Sequence, residues 1–180
     1  MRQMGLSFRV MVSSVDEPLD SCAEPRSLAC SLALRKAEDI ARGLIHPGLV
    51  IGADTIVFKD RIFGKPQDEE DAVRMLLSLQ GGEHEVITGL ALVDSFSGYR
   101  DTACECTAVE MAPLAEGQIR SYIATGESKG KAGAYGIQGR AAVFIPSIRG
   151  CYFNVVGLPI HRLWVMLQKY AEYRQTLRQL

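Results

Sequence analysis

A continuous apolar run, Leu49-Val50-Ile51-Gly52-Ala53, is the feature that most limits what this chain can fold into. Five residues without a charge suit a buried strand, of the kind found in sheets that helices cover. A helix is predicted before it, from Ser27 to Leu44, because apolar residues recur there at helical spacing. A second helix is predicted after Asp68, a suitable N-cap, and strands are predicted at Val86 to Val93 and Thr102 to Met111. This interleaving predicts a single α/β domain over residues 1–180, with a mixed twisted sheet and flanking helices.

Four further segments are less regular in pattern. Phe8 to Val12 is predicted to be a short strand, and Ala141 to Ile145 and Tyr152 to Val156 are strand-like in composition. The stretch from Gly126 to Gly139 is rich in glycine, so we expect irregular structure there.

Composition excludes several classes of protein. The 180 residues include 47% apolar and 23% charged residues, which is an ordinary globular mixture with enough chain to bury a core. The net charge of −1 provides no general basic field for nucleic acid, so an anionic ligand must be met by locally placed lysines and arginines. No apolar stretch has membrane-spanning length, and the start lacks the apolar run of a signal peptide. We therefore expect no nucleic-acid or membrane partner.

The cysteines and histidines give no indication of a disulfide framework or of a metal site. The five cysteines are odd in number and form no C-x-x-C pair, and the three histidines show no metal-binding spacing. A disulfide framework, a thiolate zinc site and a histidine metal centre are therefore not expected. A reducing, cytoplasmic location is the simplest interpretation.

Asp54 is the sharpest candidate for chemistry. It directly follows the apolar run, so we expect it at the carboxyl end of a strand, where open α/β sheets bind ligands. A carboxylate in that place can hold a divalent metal ion or take a proton from water. The alternative is that Asp54 only caps the strand by accepting hydrogen bonds from a following turn.

Lysines supply candidate phosphate ligands. Lys36 lies on the apolar side of the predicted helix, where a buried ammonium needs an anion unless its stem carries the charge out to water. Lys65 is held between Gly64 and Pro66 in a rigid loop. Lys131 lies in the segment 128–133, where two lysines among glycines resemble a phosphate cradle but do not match a Walker P-loop. For both loops, an ordinary solvated surface is the alternative.

Two polar side chains complete the set. Glu17, in a polar loop, could share a Mg²⁺ ion with Asp54, although acidic loops more often serve only solubility. Gln138 could read the edge of a base with its amide, and it is equally suited to a turn. Together these residues describe lysines for a polyphosphate, two carboxylates for a metal ion and water, and an amide for a base.

Five segments of the chain stand out together: Gly52-Ala53-Asp54-Thr55, Gly64-Lys65-Pro66, His84-Glu85-Val86-Ile87-Thr88-Gly89, Lys131-Ala132-Gly133-Ala134-Tyr135-Gly136-Ile137-Gln138-Gly139 and Asn154-Val155-Val156-Gly157-Leu158-Pro159. They resemble the Maf family of nucleoside triphosphate pyrophosphatases, in the family's order and over nearly the whole chain. The resemblance implies two lobes around a cleft, as in the related inosine triphosphate pyrophosphatases. It also implies attack of water on the α-phosphate, release of pyrophosphate, and a divalent metal cofactor, either Mg²⁺ or Mn²⁺.

The resemblance also assigns roles around the phosphates. It makes Asp54 the catalytic base and a metal ligand, with Glu17 as the second metal ligand. Lys36 and Lys65 match positions around the metal ion and the phosphates, and Lys131 is taken as a further substrate-binding residue.

Base choice is assigned in the same way. Thr55 and Gln138 match positions linked to base choice in the family. The Ile137-Gln138-Gly139 form resembles the branch that acts on dTTP and UTP, whereas the other branch prefers 7-methyl-GTP. The expected partner is thus a pyrimidine nucleoside triphosphate, and a homodimer remains an open alternative for the assembly.

The chain departs from the family pattern at its start. Family members begin with a strand and a serine-x-serine-proline-arginine-arginine turn that builds a phosphate site at a helix N-terminus. Here Met1 to Leu6 resembles the end of that helix, so we expect an N-terminally incomplete domain. Either the full protein begins further upstream, or the chain is a catalytically impaired nucleotide-binding or cell-division regulatory protein.

Overall fold

The computed structural model describes residues 1–15 and 24–177. Short 3₁₀ helices cover Arg2–Met4, Ala132–Ala134 and Arg140–Phe144. The main elements, in chain order, are α1 (Pro25–Arg42), β1 (Leu49–Lys59), β2 (Arg61–Phe63), α2 (Glu69–Leu79), β3 (Gly82–Asp94), β4 (Arg100–Met111), α3 (Glu116–Ile123), β5 (Ser147–Arg149), α4 (Tyr152–Val156) and α5 (Ile160–Leu177).

The strands form one sheet in the order β2-β1-β3-β4-β5, and helices flank it, which confirms the predicted α/β class. Every described strand pair is antiparallel, whereas the sequence pattern predicts mixed strand directions. Short turns join β1 to β2 and β3 to β4, and such turns require antiparallel neighbours, whereas the longer connections from β2 to β3 and from β4 to β5 leave the strand direction open. Asp60 alone joins β1 to β2, in a left-handed conformation with φ of 58°.

Helix α1 lies unusually close to one face of the sheet. A Cβ atom added at Gly52 would lie 2.2 Å from the carbonyl oxygen of Ala33, and one at Gly89 would lie 2.2 Å from the carbonyl group of Ala29. Glycine on the strands and alanine on the helix therefore bring the two backbones together. This contact fixes the position of α1 along β1.

The two ends of the long strands belong to two different lobes. At one end of the long strands, α1 packs on one face and α5 packs on the other, where Leu163 and Met166 contact Leu90 and Leu92. At the other end, a larger core joins the strands to α2, α3 and the segment 132–148. The predicted arrangement of two lobes around a cleft is thus confirmed.

Three predicted strands are wrong. Residues 8–12 are irregular, and the segments 141–145 and 152–156 lie in a 3₁₀ helix and in α4. In the first, Val10 and Val12 are 79% and 92% exposed, so strand-like composition here does not correspond to burial in a sheet. Tertiary context overrides β propensity in all three segments. Among the described helices, none combines the length and apolarity needed to cross a membrane.

Candidate active site

A cleft of about 340 Å³ opens where the middle of β1 meets the segment 130–139 and the C-terminal end of α4. The structure brings six of the seven predicted site residues to this cleft. Glu17, the seventh, lies outside the described residues. The six that line the cleft are Lys36, Asp54, Thr55, Lys65, Lys131 and Gln138.

Asp54 lies in the middle of β1, so its predicted place at the carboxyl end of a strand is wrong. The strand continues to Lys59 because its pairing with β3 continues, with Asp54 opposite Gly89 and Phe58 opposite Glu85. The turn that Asp54 could have capped is therefore absent at this point. Within the described sheet, β2 pairs only with residues 57–59 of β1, so the cleft reaches β1 from its side.

Lys36 and Asp54 form an ion pair in which the ammonium donates a hydrogen bond to the carboxylate. The Asp54 side chain is 7% exposed and that of Lys36 is 21% exposed, so the pair is largely withdrawn from water. This contact decides between the two interpretations of Lys36, because its head group meets an anion. An adjacent ammonium also stabilises the ionised form of a carboxylate.

The packing of α1 explains why the pair forms. Gly52 and Asp54 are two residues apart on a strand, so they face the same side of the sheet. Ala33 and Ala37 lie against Gly52, and Lys36 is on the same helix turn. The backbone contact at Gly52 therefore brings the lysine to the aspartate.

Thr55 faces the opposite side of the sheet from Asp54, as alternation along a strand requires. Its hydroxyl lies 2.9 Å from that of Thr88 on β3. Gly157, just after α4, lies close enough that an added Cβ atom would be 3.5 Å from the Thr55 oxygen. The cleft thus has a charged side around Asp54 and an uncharged side around Thr55.

The glycine-rich segment and the Lys65 loop are tied together. The N–H of Gly133 donates to the carbonyl oxygen of Gly64 at 3.0 Å. Lys131 Nζ donates to the Glu127 carbonyl oxygen at 2.6 Å, and a Cβ atom at Gly136 would lie 2.7 Å from the Lys131 side chain. Glycine at position 136 therefore leaves room for a lysine that lines the cleft. The predicted irregular structure is confirmed, with only short 3₁₀ turns.

A buried pair behind the cleft was missed by the sequence analysis. Tyr135 lines the cleft, and its hydroxyl lies 2.7 Å from Nε2 of His84, which is 2% exposed. Burial, with a contribution from the charge of Lys59, lowers the pKa of His84 to about 4. Burial raises the pKa of Tyr135. Both groups are therefore neutral near pH 7 and form a rigid wall.

The described residues offer few ligands for a metal ion. They contain no group of three or more histidine, cysteine, aspartate or glutamate side chains that could hold a metal ion. Asp54 is the one carboxylate among the described residues that line the cleft. Mg²⁺ is often held by only one or two carboxylates, with water and substrate phosphates as the other ligands. Asp54 together with a bound triphosphate fits that pattern.

Comparison with known proteins identifies the family of the chain. The family model described as "Maf-like protein" matches residues 1–170. The dTTP/UTP pyrophosphatase of Pelotomaculum thermopropionicum is 49% identical over 172 residues, which are 95% of this chain and 90% of that protein. The proteins of the same name from Acetivibrio thermocellus and Desulforamulus reducens are 44% and 50% identical, over 95% and 91% of this chain and 88% and 85% of theirs. The chain therefore belongs to the Maf-like protein family.

Proposed function

We propose that the protein is a nucleoside triphosphate pyrophosphatase that hydrolyses dTTP and UTP to the monophosphate and pyrophosphate. The observation that carries this proposal is the ion pair of Asp54 and Lys36 inside a cleft that two further lysines, Lys65 and Lys131, also line. A carboxylate base beside several ammonium groups suits the attack of water on a polyphosphate. The names of the relatives support dTTP and UTP as the substrates.

Asp54 acts as the general base in this proposal. An aspartate has an ordinary pKa of about 3.9, so it is ionised at neutral pH and can accept a proton from water. The water oxygen attacks the α-phosphorus, and its proton passes to the carboxylate. The bond from the α-phosphorus to the bridging oxygen then breaks, and pyrophosphate leaves with the bonding electron pair. Lys36 holds the carboxylate in place and offers positive charge where negative charge develops.

Lys65 and Lys131 bind the phosphates that leave. Both lie on segments joined by the hydrogen bond between Gly133 and Gly64, so their relative position is fixed by backbone contacts. Fixed charges stabilise a transition state better than mobile ones, because less reorganisation is needed as the reaction proceeds.

A divalent cation, Mg²⁺ or Mn²⁺, is part of the proposal. Asp54 would hold it with oxygens of the substrate phosphates, and Glu17 remains a predicted second ligand. When bound, the cation would supply positive charge to the phosphates and lower the pKa of the attacking water.

Base selection belongs to the other side of β1. Thr55 faces away from the charged pair and Gln138 also lines the cleft, so a triphosphate next to Asp54 can direct its base toward them. Uracil and thymine carry carbonyl oxygens and one ring N–H, which a hydroxyl and an amide can meet.

The first test is pyrophosphate release from dTTP and UTP with Mg²⁺, for the wild type and for Asp54→Asn. We expect turnover by the wild type and a loss of roughly 100- to 10,000-fold in the variant, the range typical of removing a general base. Asp60→Asn is the matched control, because Asp60 is exposed in the β1–β2 turn and asparagine tolerates its positive φ. Absence of turnover by the wild type with Mg²⁺ or Mn²⁺ would contradict the proposal.

A further inference from the structure

A chain of hydroxyl and amide groups runs through the buried side of the cleft wall. Thr55 Oγ1 lies 2.9 Å from Thr88 Oγ1, which lies 3.1 Å from the main-chain carbonyl oxygen of Asn154. Thr88 and Asn154 are both completely buried. Neither residue has a role in the mechanism above, although both lie in segments that resemble those of the family.

The direction of each hydrogen bond in this chain is fixed. A carbonyl oxygen can only accept, so the hydrogen between Thr88 and Asn154 belongs to the Thr88 hydroxyl. A hydroxyl has one hydrogen, so Thr88 has none left for Thr55. The hydrogen in the 2.9 Å contact therefore comes from Thr55. The opposite arrangement would leave two buried oxygens 3.1 Å apart with no hydrogen between them, which is costly away from water.

The carbonyl group that sets this direction is itself held firmly. The side-chain amide of Asn154 donates to the carbonyl oxygen of Val86 at 2.9 Å and to Thr107 Oγ1 at 3.0 Å. Thr107 in turn donates to the carbonyl oxygen of Cys151 at 3.2 Å and accepts from its N–H at 3.0 Å. The start and the middle of α4 are thus fastened to the sheet, and the bond from the Asn154 amide to Val86 holds the Asn154 carbonyl beside Thr88.

Thr55 consequently presents only lone pairs to the cleft. Its side chain is half-buried and lines the cleft, so one side of the hydroxyl oxygen can face a ligand while its hydrogen points to Thr88. A ligand atom that meets this oxygen must be a hydrogen-bond donor.

We propose that Thr88 is a positioning residue for base selection, which makes Thr55 an obligatory acceptor that favours a pyrimidine with a ring N–H at position 3. Uracil and thymine have that N–H, whereas cytosine has a lone pair on the same nitrogen. This inference rests on the proposed function, and it extends it to a residue that does not touch the substrate. An acceptor facing an acceptor leaves both unsatisfied, and sites built on such contacts discriminate strongly.

The test compares kcat/KM for UTP with that for CTP. We expect kcat/KM of the wild type to be roughly tenfold to hundredfold higher for UTP, because a desolvated site loses about that much from one unsatisfied hydrogen bond. In Thr88→Val the hydroxyl is replaced by a methyl group of similar size, so Thr55 is free to turn its hydrogen toward the cleft. The UTP to CTP ratio should then fall severalfold, mainly through KM, while Thr88→Ser should keep it.

Thr107→Val is the matched control. It removes a hydroxyl from the same network and loosens the start of α4. The Asn154 amide still donates to the carbonyl oxygen of Val86, so the Asn154 carbonyl stays beside Thr88 and the contacts with Thr55 are kept. We expect a lower melting temperature and an unchanged UTP to CTP ratio. If Thr88→Val lowers both activities equally, or if Thr107→Val shifts the ratio as much, Thr88 is only structural and the inference is overturned.

A substrate analogue keeps the test decisive if Thr88→Val does not fold. The wild type should hydrolyse 3-methyl-UTP, which lacks the ring N–H, at least as poorly relative to UTP as it hydrolyses CTP. Equal rates for UTP, CTP and 3-methyl-UTP would overturn the inference while leaving the proposed function intact. No hydrolysis of any triphosphate would instead refute the proposed function, so the two failures are distinguishable.

Discussion

Lys36 is the side chain whose surroundings most directly determine its role. It reaches Asp54 from α1, and both groups are largely shielded from water, where electrostatic interactions are stronger than at the surface. Lys36→Met is therefore expected to lower kcat/KM for dTTP by roughly 100-fold, the scale of losing one well-placed charge. Lys36→Arg should lower kcat/KM by less, because it keeps the positive charge although the guanidinium group differs in shape from the ammonium group. Steady-state kinetics would measure both variants.

Lys169→Met provides the control at this scale. Lys169 is exposed on α5 and does not line the cleft, so its removal should leave kcat/KM unchanged. A wild-type rate in Lys36→Met would mean that the ion pair has no part in catalysis.

The sequence indicates candidate site residues through the chemistry of their side chains, but it does not show which residues they contact. Asp54, Lys36 and Gln138 meet at one cleft as expected, yet the reason given for Asp54 was wrong, since its strand does not end there. Thr88 could not be selected. A threonine in a strand has no distinctive signal until its partner, which lies 66 residues away in the chain, is beside it.

At the scale of elements, the contact of α1 with β1 and β3 depends on two glycines. A Cβ atom at Gly52 or Gly89 would lie 2.2 Å from helix backbone, which cannot move aside as a flexible side chain can. Gly52→Ala and Gly89→Ala should each lower the free energy of unfolding by about 1–3 kcal/mol or more, as overpacking does. Gly52→Ala should also reduce activity, because it moves α1 and with it Lys36. Urea unfolding and the pyrophosphate assay would measure the two effects.

Gly117→Ala is the matched control, since nothing lies within 4 Å of an added Cβ atom at that position in α3. Alanine is the better helix former, so this variant should be as stable as the wild type or more stable by up to about 1 kcal/mol. Equal stability of all three variants would contradict the close approach of α1 to the sheet.

Helices and strands with a clear periodic spacing of apolar residues were predictable from the sequence. Elements that depend on partners far away in the chain were not. The pattern of residues 27–44 matches α1 because its apolar side meets a sheet along its whole length. The segment 152–156 has strand-like residues but forms α4, because Asn154 finds buried partners on β3 and β4 in that conformation. Antiparallel pairing follows from the short turns of β1 with β2 and of β3 with β4, but the longer connections to the other partners do not reveal strand direction.

At the scale of the whole molecule, stability should depend on pH through the buried His84. The folded state holds the pKa of this imidazole at about 4, mainly through burial, against an ordinary value of 6.5. Between pH 6.5 and 4 the unfolded chain therefore binds a proton that the folded chain does not, and stability falls as pH falls through this window. Above the window both states are neutral at this residue, and below it both are protonated. From pH 7.5 to pH 5.0 the loss should be roughly 2 kcal/mol.

His84→Gln isolates this contribution, because glutamine does not titrate and can still form a hydrogen bond with the Tyr135 hydroxyl. Urea unfolding at pH 7.5 and pH 5.0 should show that the variant loses less stability on acidification than the wild type, by roughly 2 kcal/mol. Because each protein is compared with itself at the two pH values, the pH-independent cost of the substitution cancels. The titration of other groups is common to both proteins and cancels as well. Equal losses in the two proteins would mean that His84 is accessible to protons in the folded state, and that the wall behind Tyr135 is open to water.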